Sequence, residues 1–271
     1  MSPSIEPVRV RQAATVVLLR DSEQGLQTWL LNRLPQLAFA AGMSVFPGGA
    51  VDPDDAVLSA DLALDPMAAA TLASVASQLH ATSFDAGRLM TAAIRETFEE
   101  VGVLLSQPPI EVDPASRTDV ETHGYGFGQL LIDLGVRLDL AAIRPWSRWI
   151  TPEGESRRYD TYFFVALLPE DATVAGVSSE ASDAAWIGID QALAEFRAGQ
   201  RPMLPPTIAT LTEVGGYASA AEVLAAAAGR DIAPIEPVLR RAEDGRLSAD
   251  LGNGTIIELP AGFVRASRST S

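Results

Sequence analysis

The segment Arg95-Glu96-Thr97-Phe98-Glu99-Glu100-Val101-Gly102-Val103 places three carboxylates within five residues. At helical spacing, Glu96, Glu99 and Glu100 stand at i, i+3 and i+4 and share one face. Ile94, Phe98 and Val101 recur at i, i+4 and i+7 on the other side, as a core stripe does. Gly102 supplies the stop, because glycine accepts the left-handed conformation that ends helices. A chain built around this segment must bury one side of a helix and gather negative charge on the other. Like charges at this spacing repel by roughly 0.2–0.5 kcal/mol per pair and raise one another's pKa. Mg²⁺ or Mn²⁺ relieves both costs, since hard cations prefer carboxylate oxygen. A solvated acidic face with Arg95 as a local partner satisfies the same triplet. The segment alone leaves both readings open.

An upstream stretch, Phe46-Pro47-Gly48-Gly49-Ala50-Val51-Asp52-Pro53-Asp54-Asp55, shifts the balance. A Gly-Gly pair lets backbone approach a ligand closely. Together the two stretches resemble the Nudix box, G-x5-E-x7-R-E-U-x-E-E-x-G-U, where U is a bulky apolar residue. Gly49 takes the first glycine, and Asp55 stands where the family has Glu. Arg95, Glu96, Glu99, Glu100, Gly102 and Val103 fill the second half, with Thr97 at a U position. Between Asp55 and Arg95 lie 39 residues, against seven in the pattern. Such a split box is similar to that of the branch containing the peroxisomal coenzyme A diphosphatases. The signature of that branch is matched in spacing by Arg33, Gly42 and Phe46–Gly49, while Ala38 stands where a second Arg belongs. A run from Trp146 to Pro152, followed by Arg157-Arg158-Tyr159-Asp160-Thr161, resembles the same branch.

The resemblance implies an α/β protein with the Nudix fold: an α/β/α sandwich around a mixed β-sheet, with a helical insertion inside the box and a C-terminal extension. It implies Mg²⁺ or Mn²⁺ held by Glu96, Glu99, Glu100 and the Gly48 carbonyl, with Arg95 orienting the glutamates. Glu180, on the loop before a strand containing Trp186, is the implied further metal ligand or general base, with Asp183, Glu153 and Glu155 as competitors. Arg33, Arg157 and Arg158 are the candidate substrate contacts, because a guanidinium fork suits phosphate oxygens. The implied reaction is hydrolysis of a nucleoside diphosphate derivative, with coenzyme A or an acyl-coenzyme A as the leading substrate. ADP-ribose, NADH or a dinucleotide is the alternative substrate, and a non-catalytic Nudix-fold binding protein is the alternative class.

Composition narrows the rest. The formal charge of −15 speaks against a general nucleic-acid or acidic-membrane surface. A phosphate substrate must therefore be met by local arginines or by metal. All 20 basic residues are Arg. There are no cysteines, which excludes disulfides, thiolate metal sites and Cys nucleophiles. His80 and His123 are read as incidental. Residues 1–12 lack the apolar run of a secretory signal, and Ala218–Ala228 is too short to span a bilayer. The expected location is the cytoplasm.

Along the chain, Ala13–Arg20 is apolar on both faces and predicts a central strand, with Leu26–Arg33 returning beside it. Residues 56–88 form the insertion, with one helix expected over 66–80, introduced by Asp65-Pro66. The box helix is expected over 85–101. Residues 104–128 read as loop and 129–140 as a short helix. Tyr159–Leu168 predicts a strand and Asp190–Ala198 a helix. The Nudix domain is expected to occupy 1–205. Residues 206–271 read as an extension with helices at 207–214 and 219–228 and a small meander over 235–259, and homodimerisation is one use for it.

Overall fold

The computed structural model describes residues 8–260, apart from 38–39, 63, 170–171, 175–178 and 244. Ala38 and part of the 1–12 segment therefore lie outside the described residues. The elements run β1 (Val10–Ser22), β2 (Gly25–Arg33), β3 (Ser44–Val45), β4 (Gly48–Ala50), α1 (Pro53–Leu62), α2 (Pro66–Leu79) and α3 (Ser83–Val101). Then come β5 (Ser106–Gln107), α4 (Pro114–Glu121), α5 (Phe127–Leu134), β6 (Arg137–Leu138), β7 (Ile143–Ile150), β8 (Arg158–Leu167) and β9 (Ala181–Gly188). The chain continues through α6 (Ile189–Arg197), α7 (Pro205–Val214), α8 (Ala220–Ala227), β10 (Pro234–Ile235), β11 (Val238–Arg241), β12 (Leu247–Asp250) and β13 (Ile256–Leu259).

The main sheet is mixed, in the order β10-β7-β8-β1-β2-β3, with β4 also on β1 and β9 also on β2. β1 runs parallel to β8 and antiparallel to β2. Its residues explain why it is central. Val16 and Leu18 enter one core and Val17 and Leu19 the other, and all four are fully buried. A strand apolar on both faces needs a cover on each side. α2 and α3 cover the first face, and α6, α7 and α8 cover the second. The result is the α/β/α sandwich expected from the sequence. β11, β12 and β13 form the small antiparallel meander, and Ala249, Leu251 and Leu259 tie it to the second core. Among the described residues no single helix is long and apolar enough to cross a membrane.

The insertion departs from the one-helix expectation. It holds α2, capped by the Asp65 carboxylate on the Met67 and Ala68 amides, and also most of α1. The latter buries Asp55 and Ser59 instead of an apolar stripe, so hydrophobic periodicity gives no signal for it. It packs directly on α3: a Cβ on Gly87 would lie 2.1 Å from the Ser59 hydroxyl. The box helix begins two residues earlier than expected, at Ser83, with Thr82 as its N-cap. Residues 104–128 are not all loop, because α4 begins at Pro114 behind an Asp113 cap. α5 ends at Leu134, where Gly135 turns left-handed at φ 66°, instead of reaching residue 140. The tryptophan-rich run before residue 150 forms β7, an antiparallel partner of β8 with an irregularity between Pro145 and Ser147.

Candidate active site

Ile94, Phe98 and Val101 of α3 sit in the first core at 0% exposure. That burial fixes the helix rotation and turns Glu96 and Glu100 to the glycine bend. The bend is held in turn by the sheet, because β4 pairs with β1 through Thr15 and Gly48. The Gly48 amide donates to Glu100 Oε2 at 2.7 Å. A Cβ on Gly49 would stand 2.4 Å from Glu96 Oε1, so this position has no room for a side chain. Glu96 and Glu100 therefore meet the bend, remote in sequence, and Glu99 joins them through Arg95.

Arg95 lies at the centre of the cluster. Its Nε and Nη2 donate to the two Asp55 oxygens, each at 3.1 Å, and Nη2 also donates to the Ala50 carbonyl at 2.9 Å. Nη1 donates to Glu96 Oε1 at 2.9 Å and Glu99 Oε1 at 3.1 Å. Asp52 lies 3.8 Å from Nη2. Asp55 thus reaches Arg95 from forty positions upstream and closes the split box in space.

All five groups, Asp55, Arg95, Glu96, Glu99 and Glu100, are under 9% exposed. Burial raises the carboxyl pKa values. Glu96 is pushed up to about 8, with Arg95 opposing the shift. Glu99 and Asp55 rise for the same reason, again against Arg95. Glu100 is raised well above the ordinary range by burial and by Glu96, against its bond to Gly48. Burial works against the charge on Arg95, but Glu96, Asp55 and Glu99 outweigh it and keep the guanidinium protonated. Three buried carboxyls share the Arg95 guanidinium and a fourth, Glu100, has only the Gly48 amide among the described residues, so the cluster lacks positive charge.

The expectation of a carboxylate cage is met as proximity only. Among the described residues no three His, Cys, Asp or Glu side chains close on a shared point. Glu96 and Glu99 face Arg95, and Glu100 faces the Gly48 amide. The chemistry of the donor set nevertheless suits a hard divalent cation. It consists of carboxyl oxygens beside a backbone bend, the oxygen donors that Mg²⁺ and Mn²⁺ prefer.

A cavity of about 630 Å³ opens over the cluster, within the usual range for ligand sites. Arg33, Arg157 and Glu180 line it, and Arg158 does not. Arg33 Nη2 is paired with Glu180 Oε2 at 2.7 Å. Arg157 is exposed and has no hydrogen-bond or ion-pair partner among the described residues. Arg158 instead donates to the Thr151 carbonyl and to Glu236, each below 3.0 Å, and so ties the start of β8 to the residues just after β7 and β10. Glu155 also borders the cavity, whereas Glu153 and Asp183 do not.

Two lining residues carry no sequence signal. Glu121 ends α4, His123 follows it, and both reach the cavity wall, where a protonated His123 would favour ionised Glu99. α4 is docked by Arg117, whose Nε donates to the Glu99 carbonyl at 2.8 Å. Nothing in the spacing of His123 relative to the box foretells this.

Comparisons with known proteins agree with this geometry. The human acyl-coenzyme A diphosphatase NUDT19 is 26% identical, over 95% of this chain and 84% of that protein. The putative nudix hydrolase 7 of Caenorhabditis elegans is 25% identical, over 75% of this chain and 60% of its own length. A crystal structure of a NUDIX hydrolase from Alicyclobacillus acidocaldarius superposes with a TM-score of 0.69 at 26% identity, covering 80% of this chain and 96% of that one. The family model described as NUDT19 Nudix domain matches residues 10–214. That span holds every strand of the mixed sheet except β10, both halves of the split box and α7, and the chain belongs to the NUDT19 Nudix domain family.

Proposed function

We propose that this chain is a Mg²⁺- or Mn²⁺-dependent diphosphatase that cleaves coenzyme A or an acyl-coenzyme A into 3′,5′-ADP and a 4′-phosphopantetheine product. The observation that carries the reading is the contact of the glycine bend with Glu96 and Glu100, beside buried Glu99, beneath a cavity lined by Arg157. The human relative's name supplies the substrate class.

Glu96, Glu99, Glu100 and the Gly48 carbonyl would hold the cation, and Arg95 keeps the carboxylates in register. When bound, the cation supplies charge neutralisation and Lewis acidity at the diphosphate. Arg157 meets a phosphate at the cavity wall. Glu180, poised by Arg33, takes the proton of the attacking water as general base. Water adds across the P–O–P anhydride: its oxygen bonds one phosphorus, and the other phosphate departs with the bridging oxygen.

The test is a hydrolysis screen with Mg²⁺ or Mn²⁺ across coenzyme A, acyl-coenzyme A, NADH and ADP-ribose. Release of 3′,5′-ADP, lowered on the order of 10³-fold in Glu99→Gln, is the expected outcome. Preference for ADP-ribose or NADH would overturn the substrate. Cation binding without turnover of any diphosphate would place the chain among binding proteins.

A further inference from the structure

One wall of the cavity is chemically unlike the floor. Leu204, Pro205, Pro206 and Thr207 contribute from the start of α7, and Pro237 and Leu239 from the stretch around β11. Pro237 and Leu239 lie beyond residue 214, where the family match ends. All six are uncharged. Phe46, between β3 and β4, and Trp149 and Phe163 of the sheet line the same space, and Leu239 packs against the core cluster that contains them.

The wall is also fixed in place. Ile235 is in parallel register with Trp149. Glu236 is ion-paired to Arg158 at 2.8 Å. The Ser44 amide donates to the Pro202 carbonyl at 2.8 Å. A surface held this firmly is a preformed contact for a ligand.

Its chemistry excludes a phosphate. The arginines lining the cavity, Arg33, Arg95 and Arg157, come from β2, α3 and the approach to β8, and none from segment 204–239. Charged groups are costly against an uncharged apolar wall, while each methylene buried there gains about fourfold in affinity.

We propose that this wall receives the acyl chain of a coenzyme A thioester, with Leu239 and Leu204 determining which acyl derivatives are cleaved. The proposal rests on the coenzyme A reading above. Through Leu239 it gives the segment after the family core a share in specificity.

The experiment compares octanoyl-coenzyme A with free coenzyme A in Mn²⁺ for the wild type, Leu239→Asp, Leu239→Ala and Val238→Asp. Val238 is the neighbouring residue of β11, is 55% exposed and does not line the cavity. Leu239→Asp is expected to lower the octanoyl-to-free ratio of kcat/KM at least about tenfold, mainly through KM. Leu239→Ala shifts the ratio the same way by a smaller factor, and covers the case in which the charged variant does not fold. Val238→Asp keeps the wild-type ratio. An unchanged ratio in both Leu239 variants, or an equal fall for both substrates, overturns the proposal. Calorimetric titration of the same two compounds in EDTA reads the wall without turnover. Tighter octanoyl binding that depends on Leu239 sustains the proposal even in an inactive protein, where only the hydrolase reading fails. Equal or absent binding of the two compounds overturns it.

Discussion

The guanidinium of Arg33 stands 2.7 Å from the carboxylate of Glu180, 147 residues later in the chain. The backbone reinforces the pairing, because the Leu34 amide donates to the Glu180 carbonyl at 3.0 Å. Glu180 is 52% exposed, so the pair contributes no more than about 1 kcal/mol to stability. Its value is positional. Glu180→Gln is expected to lower kcat about 10²-fold or more with little change in melting temperature. Steady-state kinetics in saturating Mn²⁺, with a thermal melt of the same samples, provide the check. A wild-type kcat would remove Glu180 from the reaction.

Arg95 has the opposite balance. It is 5% exposed and bonds Asp55, Glu96, Glu99 and the Ala50 carbonyl. Arg95→Met leaves buried carboxyls without a cation and is expected to cost about 3–5 kcal/mol in urea unfolding. Arg95→Lys recovers only part of this, since an ammonium cannot reproduce the two-pronged contact with Asp55. Full stability in Arg95→Met would contradict the arrangement.

Gly49→Ala tests the close approach of bend and helix. The added methyl would meet Glu96 Oε1 at 2.4 Å, and Glu96 must move. The expected result is at least about tenfold weaker Mn²⁺ binding by calorimetry, the size of effect seen when metal-site support is disturbed. Unaltered affinity would show that Glu96 is not needed at this position.

The buried carboxyls also set a pH dependence. Glu96 holds its proton to about pH 8 in the folded chain, against an ordinary value of 4.5. The folded state therefore binds more protons than the unfolded state between these values, and metal-free stability falls as pH rises through that window. Its contribution is complete below 4.5 and lost above about 8. Mn²⁺ should raise the melting temperature most at the alkaline end, by binding the folded state alone. Melts at pH 5, 7 and 8.5, with EDTA or Mn²⁺, decide the matter. A cation effect confined to acid pH would reverse the sign.

Much of the site is legible from sequence because it follows helical geometry. The spacing of Ile94, Phe98 and Val101 sets the rotation of α3, and Gly102 ends it at φ 78°. Strand β1 announces itself by being apolar on both faces. What periodicity cannot show is α1, whose inward side is polar and answers to Arg95 and Gly87. α4 was signalled by Asp113-Pro114, the same cap that marks α2, but its surroundings are rich in Pro, Asp and Gly. The separate fates of Arg157 and Arg158 depend on Glu236 and Thr151, which adjacency in sequence does not reveal.

The contact from Asp55 to Arg95 has a wider implication. The first turn of α1 delivers its carboxylate to the box helix before the remaining helical hairpin begins. Interval along the chain is then free to drift, because three-dimensional closure replaces contiguity. Searches that demand an unbroken string of letters will overlook chains that assemble the same catalytic floor from separated pieces.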